Sequence, residues 1–423
     1  MASAAGNTER VESRPTAGLR GASWDPSLVP DGLNTRVFPV PTADGAQIVG
    51  YLHARGGERN VVMIMHPREL LVTHYLVPHL VAAGYACWVQ GPRTVGNDLR
   101  LEHEVALLDV AAGVSQLRAL DFDKVVLLGN SGGAPLFAFY NQQALLEPAQ
   151  RLRNTPGGRP VGLASAAMPA PDGFVFIAPH AGQGALLMNS IDPSVCDESD
   201  PFRIDPELDP FNEENGFRPR PASSSYPAAF VQRYRAAQHL RVEKIDALAK
   251  ALLAERQAAR ARAKSGQGGR EDVMQGAFNA IFQVWRTDAD LRAFDLTLDP
   301  SSRRWGTVWG SDPVASNLGA VGFGRVCTPE SWLSTWSGLS SNASFERCGA
   351  SIEQPVLMLY YTGDNTVFPS DADAIHAAIA AADKTRLDIK GNHHGHVLDA
   401  GDALPQGIAG TAVTTWLQER FGR

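Results

Sequence analysis

Cysteine is scarce. Four residues, Cys87, Cys196, Cys327 and Cys348, are spread over 423 positions, and none of their spacings is of the metal-ligating kind. That sets aside a disulfide framework as the organising device; the four are expected as buried thiols, with a Cys327–Cys348 bridge the one pairing left open. Long apolar runs are missing too: nothing approaches the ~20 residues of a membrane-crossing helix, and Met1 to Pro30 shows no basic start followed by an apolar stretch. A cytoplasmic protein with no membrane partner is expected. Positive charge is short, with 38 Lys and Arg against 45 Asp and Glu for a net charge of -7. Such a balance argues against a nucleic-acid partner. No internal repeat is visible, so a solenoid is not expected.

Hydrophobic residues make up 44% and charged ones 20%, enough to fill a sizeable core. The length exceeds one average domain, so either a large α/β domain carrying an insertion or two domains should be found.

The stretch Lys124 to Tyr140 carries the clearest signal. Val125 to Leu128 is a continuous β-branched and aliphatic run, as in a strand buried on both faces. It enters Gly129-Asn-Ser-Gly-Gly133, a G-x-S-x-G pattern, and then a helix-compatible segment in which Pro135 is tolerated in the first turn. Strand, tight turn and helix together make a nucleophile elbow with Ser131 at its tip, where glycines are needed because strand and helix pack too closely for side chains.

The same alternation recurs along the chain. Segments 36–40 and 47–53 flank an Asp44-Gly45 hairpin signal; further strands are expected at 60–65, 86–90, 173–179, 355–361 and 385–390. Helices are expected at 75–83, 102–120 and 405–421, which implies a largely parallel sheet. After Pro179 the pattern changes for about 165 residues. Within this insertion 226–264 and 271–294 read as helices, and the basic residues Arg256, Arg260, Arg262 and Lys264 read as a helix end and solvated face. The Gly319-Ala-Val-Gly-Phe-Gly324 run lacks the strand and helix of a nucleotide loop and is read as a tight, pocket-lining loop.

A serine hydroxyl attacks only with a base beside it, and that base needs a third group to fix its tautomer. The strand at 356–361 runs out into Thr362-Gly-Asp364, and the strand at 385–390 into Gly391-Asn-His-His-Gly-His396. Both lie past carboxyl ends of strands, the edge at which an open α/β sheet assembles its site. Asp364 is the candidate acid, whereas Asp371 and Asp373 fall in the next helix and Asp192, Asp197 and Asp200 in the insertion. His393, His394 and His396 compete as the base.

The Gly129–Gly133 elbow, the strand running into Asp364 with Phe368-Pro369 behind it, and Gly391-x-x-His394 after the last strand resemble the α/β-hydrolase superfamily in its serine hydrolase, carboxylesterase-like branch. The resemblance covers roughly residues 35–180 and 346–423. It implies an α/β-hydrolase fold, a mostly parallel central sheet flanked by helices, with a mainly helical cap. The expected division is an N-terminal arm at 1–34, core at 35–185, cap insertion at 186–345 and core again at 346–423. The base commonly sits in Gly-x-x-His, which points to His394; Gly391 would permit the sharp turn that brings its ring back toward Ser131. Gly132 is the expected first oxyanion donor. The second should come from the loop at His66, where the family often has His-Gly; Pro67 has no N–H, so Arg68 is expected.

The reaction expected from the resemblance is hydrolysis of a carboxylic ester with a bulky apolar part through an acyl-enzyme. Thioester or lactone cleavage on the same triad is an alternative. So is carbon–carbon bond hydrolysis of an acidic diketone, for which Arg68, Arg303, Arg304 and Arg325 could clamp a carboxylate, and so is a non-catalytic ligand-binding scaffold. The partner is a small apolar or aromatic acyl substrate, with a homodimer left open; no cofactor and no metal are called for. Aromatic residues of the insertion, among them Phe202, Phe211, Phe217, Tyr226, Phe230, Tyr234, Phe278, Phe282, Trp285 and Trp305, would pack the cap and line its pocket.

Overall fold

Asp44-Gly45 closes the first hairpin. In the computed structural model, which describes residues 23–96 and 98–422, β1 (Asn34–Pro41) and β2 (Gln47–Ala54) pair antiparallel, and Gly45 holds the turn at φ 86°. Glycine reaches that left-handed conformation without strain. The chain then alternates through β3 (Asn60–Met65), α1 (Leu76–Ala82), β4 (Ala86–Gln90), α2 (His103–Ala119), β5 (Lys124–Asn130), α3 (Gly133–Leu145) and β6 (Gly173–Ile177). A long segment follows, with α4 (Gln183–Ser190), α5 (Ala228–Lys264), α6 (Arg270–Ala277), β7 (Phe282–Gln283), α7 (Pro313–Leu318), β8 (Val326–Cys327) and α8 (Pro329–Ser331), after which α9 (Phe345–Gly349) returns to the core beneath α3. Finally β9 (Val356–Tyr361), α10 (Pro369–Ala378), β10 (Lys384–Ile389) and α11 (Pro405–Phe421) complete it.

The main sheet runs β1-β2-β4-β3-β5-β6-β9-β10, antiparallel where β2 meets β1 and β4 and parallel elsewhere. Its inner strands are covered on both sides, and the two-residue period decides which side chain goes where. Val125 and Leu127 of β5 join Met63 and Met358 in a core beneath α2 and α3; Val126 and Leu128 join Ile64 and Leu359 in a second core against α1 and α11. Burial on both faces is why these strands are nearly unbroken apolar runs.

The segment between α4 and α8 has buried clusters of its own. Phe230, Tyr234, Gln238, Val242, Ile245, Ala249 and Leu253 form one buried stripe along α5 at three- and four-residue spacing. Trp332 and Trp336 pack against its middle, and Phe211, Phe217, Phe294 and Trp305 gather near its start. The segment 271–294 is not one helix. Arg260 Nε donates to the carbonyl of Gly276 at 2.6 Å, capping α6 at its end, and Phe282–Gln283 then pairs antiparallel with Val326–Cys327. Arg256 and Arg262 likewise bind Glu330 and Asp272, so this basic cluster holds neighbouring turns rather than facing water alone.

All four thiols are free: Cys87, Cys327 and Cys348 are buried, Cys196 is exposed, and no Cys327–Cys348 bridge forms. Residues 1–22 of the expected arm lie outside the described residues; the following Trp24 donates its N–H to Thr73 O and sets its ring edge-on to His53. No helix among the described residues is long and apolar enough to cross a membrane.

Candidate active site

Ser131 sits at φ 51°, between the end of β5 and the start of α3, a strained conformation for a residue with a side chain. Its N–H is fixed to Ile177 O at 2.8 Å. The flanking glycines are there for space: a Cβ on Gly129 would stand 2.6 Å from Ala134 N, and one on Gly133 would stand 2.3 Å from Met65 O. Both obstacles are backbone, so strand and helix would have to separate.

Across the same sheet edge, Asp364 follows β9 and is fully buried. One carboxylate oxygen accepts from the N–H groups of Thr366 and Val367 at 2.7 and 3.0 Å; the other meets His393 Nδ1 at 2.6 Å. His393 Nε2 in turn lies 3.1 Å from Ser131 Oγ. His393 therefore occupies the place expected for His394. The physical reason is where the turn bends. Gly391 is small because Pro405 presses on it, a Cβ there meeting that ring at 2.8 Å. The left-handed residue is Gly395, at φ 71°, while Asn392 Oδ1 accepts from the N–H groups of both His394 and His396. The loop thus closes around Asn392, and the ring just after it faces Asp364. His394 borders the cavity with its ring edge-on to His393, and His396 is exposed.

Burial alone would discourage a charged His393, yet the charge and hydrogen bond of Asp364, with Glu69 further off, outweigh it and hold the ring above its ordinary pKa. An ionised carboxylate can only accept, so Nδ1 carries the proton of the neutral ring and Nε2 is left to accept from the Ser131 hydroxyl. Such a triad can deprotonate a serine and hold the resulting imidazolium.

Gly132 stands at the N-terminal end of α3, where N–H groups lack intrahelical partners. Arg68, expected as the second donor, does not offer its N–H to the site: it donates to His66 Nδ1 at 3.1 Å. The loop folds back on its own histidine because Pro67 can supply no donor there. The cavity beside Ser131 measures ≈ 60 Å³ and is lined by His66, His180, Gln183, Leu186, Val308, Trp309, Phe323 and Thr366, among others. Phe323 belongs to the glycine-rich loop read as pocket-lining. Trp309, His180 and Gln183 were not legible in advance; no motif marks them. Most of the aromatic residues named for the segment pack one another, as expected of the majority, while Phe202 and Phe278 are exposed.

The four candidate arginines are engaged elsewhere. Arg68 is bidentate with Asp98 at 2.7 and 2.8 Å, Arg303 donates to the carbonyls of Arg292, Asp299 and Leu298, Arg325 to that of Ser316, and Arg304 to that of Leu398. Among the described residues no group of three or more His, Cys, Asp or Glu is placed to hold a metal ion.

No protein-family model matches the sequence, and no curated protein matches it either. Solved structures do. One described as DcsB in complex with its substrate analogue is similar at 13% identity and TM-score 0.50, over 92% of this chain and all of that one. The α/β hydrolase GrgF from Penicillium sp. sh18 is similar at 12% identity and TM-score 0.48, over 92% and 100%. The esterase domain of a Rhodothermus marinus protein stands at 10% and 0.42, over 91% and 99%. The fold is that of the α/β hydrolases. Sheet order, the antiparallel second strand and the strand–serine–helix turn carry that statement; likeness at such identities concerns architecture alone.

Proposed function

We propose that this α/β-hydrolase-fold protein is a serine hydrolase that cleaves a carboxylic ester through an acyl-enzyme, with Ser131 as nucleophile, His393 as base and Asp364 as the orienting acid. The observation that carries the reading is His393, whose two ring nitrogens reach Ser131 at 3.1 Å and Asp364 at 2.6 Å. His393 Nε2 takes the hydroxyl proton as Ser131 Oγ bonds to the ester carbon. It returns that proton to the departing alcohol, then draws one from the attacking water and passes it to Ser131 Oγ as the bond to the acyl carbon breaks and the acid leaves. Gly132 N–H faces the oxygen on which charge develops.

Segment 186–345 acts in this reading as the cap: its Leu186, Val308, Trp309 and Phe323 wall the cavity. At ≈ 60 Å³ that cavity has the room of a few waters, which suits an acyl group of about two to four carbons. The bulk of the ester then lies in the adjoining groove of ≈ 210 Å³, which shares Val308, His393 and His394 and offers Val397 and Leu398 as apolar contacts. A thioester or lactone could use the same machinery. The acidic diketone reading is weaker, because each guanidinium that could clamp its carboxylate already has partners.

The test is a panel of esters varied separately in acyl and alcohol length, run with a phosphonate probe and with Ser131→Ala as control. Turnover of short acyl esters and labelling that both vanish in Ser131→Ala are the expected result. A wild-type protein inert to probe and panel alike would leave only the ligand-binding scaffold.

A further inference from the structure

The ring of His66 is locked in one tautomer by its own loop. Its Nδ1 lies 3.1 Å from the N–H of Arg68 and 3.1 Å from that of Glu69. A backbone N–H can only donate, so Nδ1 keeps its lone pair and the proton sits on Nε2. His180, just beyond β6, is locked in the same way by the N–H of Gly182, 3.1 Å from its Nδ1. The rings are 7% and 5% exposed. Burial first, and then the charge of Arg68 on His66 and that of the His393 and His103 rings on His180, depresses both, His180 to about 3. At neutral pH each is an uncharged donor with a fixed N–H.

The two Nε2 atoms converge beside Gly132. A Cβ on Gly132 would lie 2.8 Å from His66 Nε2 and 3.1 Å from His180 Nε2, and 2.3 Å from Gln183 Nε2. Gln183 is 2% exposed; its amide lies beside His103, and neither end makes a hydrogen bond of good geometry within the protein. His66, His180 and Gln183 all line the cavity that holds Ser131. A buried amide without a good hydrogen bond, beside two fixed N–H donors, is a costly arrangement unless an acceptor from outside enters it. Glycine at 132 leaves the room for these groups, and the loop amide that would otherwise complete the site is spent on His66.

We infer that the oxyanion hole is completed by side chains, the Nε2–H groups of His66 and His180 joining Gly132 N–H in place of a second backbone donor. This rests on the hydrolase reading of Ser131. As Ser131 Oγ bonds to the ester carbon, the carbonyl pair moves onto oxygen, and the two N–H groups meet it without giving up a proton. The pair returns to the carbonyl when the alcohol leaves. Neutral, preorganised donors of this kind stabilise the tetrahedral species more than the planar ester.

The experiment combines His66→Phe, His180→Phe and His66→Asn, assayed on the short acyl esters and for inhibition by a trifluoromethyl ketone, whose adduct with serine carries the same oxyanion. Selective histidine 15N NMR of the wild-type protein reads the tautomers directly. Each Phe variant should lose about 10²-fold in kcat with KM within a few fold. Ketone affinity should fall in parallel, while His66→Asn, which keeps an N–H donor, recovers part of the rate. Both rings should show the neutral Nε2–H form from pH 6 to 9. If His66→Phe does not fold, His180→Phe and the NMR decide. Active Phe variants within twofold of wild type, or an Nδ1–H or charged form of either ring, would overturn this inference alone; a wild-type protein inert to esters and phosphonate overturns the hydrolase reading and this inference with it.

Discussion

Asp364 and His393 meet at 2.6 Å with the carboxylate out of contact with solvent, and the other carboxylate oxygen is held by two backbone N–H groups. The acid is thereby fixed before the ring arrives, and it sets both the tautomer and the basicity of His393. Replacing Asp364 by Asn keeps the shape but removes the charge, and an amide N–H turned toward Nδ1 would force the wrong tautomer. Ester turnover should drop about 10³- to 10⁴-fold.

That pair also fixes a pH dependence. The base must be neutral to accept the serine proton, and Asp364 raises the folded pKa of His393 above its ordinary value near ~6.5. Accordingly kcat/KM should climb with pH through a midpoint above the usual imidazole value and then level off. In any residual activity of Asp364→Asn the midpoint should move down, since the raising charge is gone. A midpoint that stays put would detach Asp364 from the base.

The sheet was almost wholly readable in the sequence, because strands buried on both faces must be apolar throughout and their turns must carry glycine. The placing of Ser131 and Asp364 at one sheet edge was legible for the same reason: each follows directly from a strand that cannot slip. Which histidine stands between them was not. Three histidines within four positions differ only by how the loop closes, and that depends on Asn392 Oδ1 taking two N–H groups and on Pro405 pressing against Gly391. Arg68 misled for a related reason, since nothing local says that His66 will accept its N–H. The 271–294 segment failed because a pairing partner some forty positions on, Val326–Cys327, outweighs helical spacing.

The two histidines can be told apart by rate. His393→Ala should abolish ester turnover nearly as fully as Ser131→Ala, since triad members act as a unit. His394→Ala, whose ring borders both the cavity and the adjoining groove, should change KM several-fold and leave kcat within about tenfold. The opposite ranking would mean that the loop rearranges before catalysis.

Gly132 and Gly133 are neighbours with different obligations. A methyl at 133 meets the carbonyl of Met65 at 2.3 Å, so Gly133→Ala should cost ~2 kcal/mol or more and lower Tm. The atoms nearest a methyl at 132 are side-chain nitrogens of Gln183, His66 and His180 rather than backbone, and the Gln183 amide nearest it can swing aside. Gly132→Ala should therefore fold with a smaller loss of Tm yet lose most of its activity, because the methyl takes the space above the serine. Thermal melts beside ester assays separate the two; equal losses of Tm would refute the distinction.

Glu104 makes a stability prediction away from the triad. It lies fully buried on α2, accepting from Ser334 Oγ at 2.6 Å and from Asn342 Nδ2 at 2.9 Å. Burial raises its pKa and these hydrogen bonds pull it partly back, leaving it at about 7. For a carboxyl raised on folding, the neutral form is the one the fold prefers. Its contribution is fully present below the unfolded value of ~4.3 and is lost as pH rises through about 7, a change on the order of 3 kcal/mol at most. His393, also raised, changes stability in the same direction in both proteins, so a comparison with Glu104→Gln isolates the carboxyl. Urea unfolding between pH 5 and 8 should show wild type losing stability with rising pH more steeply than Glu104→Gln. Because Gln carries no charge to bury, the variant should gain on wild type toward pH 8 and lose any advantage toward pH 5. Parallel lines for the two proteins would show that Glu104 stays ionised, or stays neutral, across the whole range.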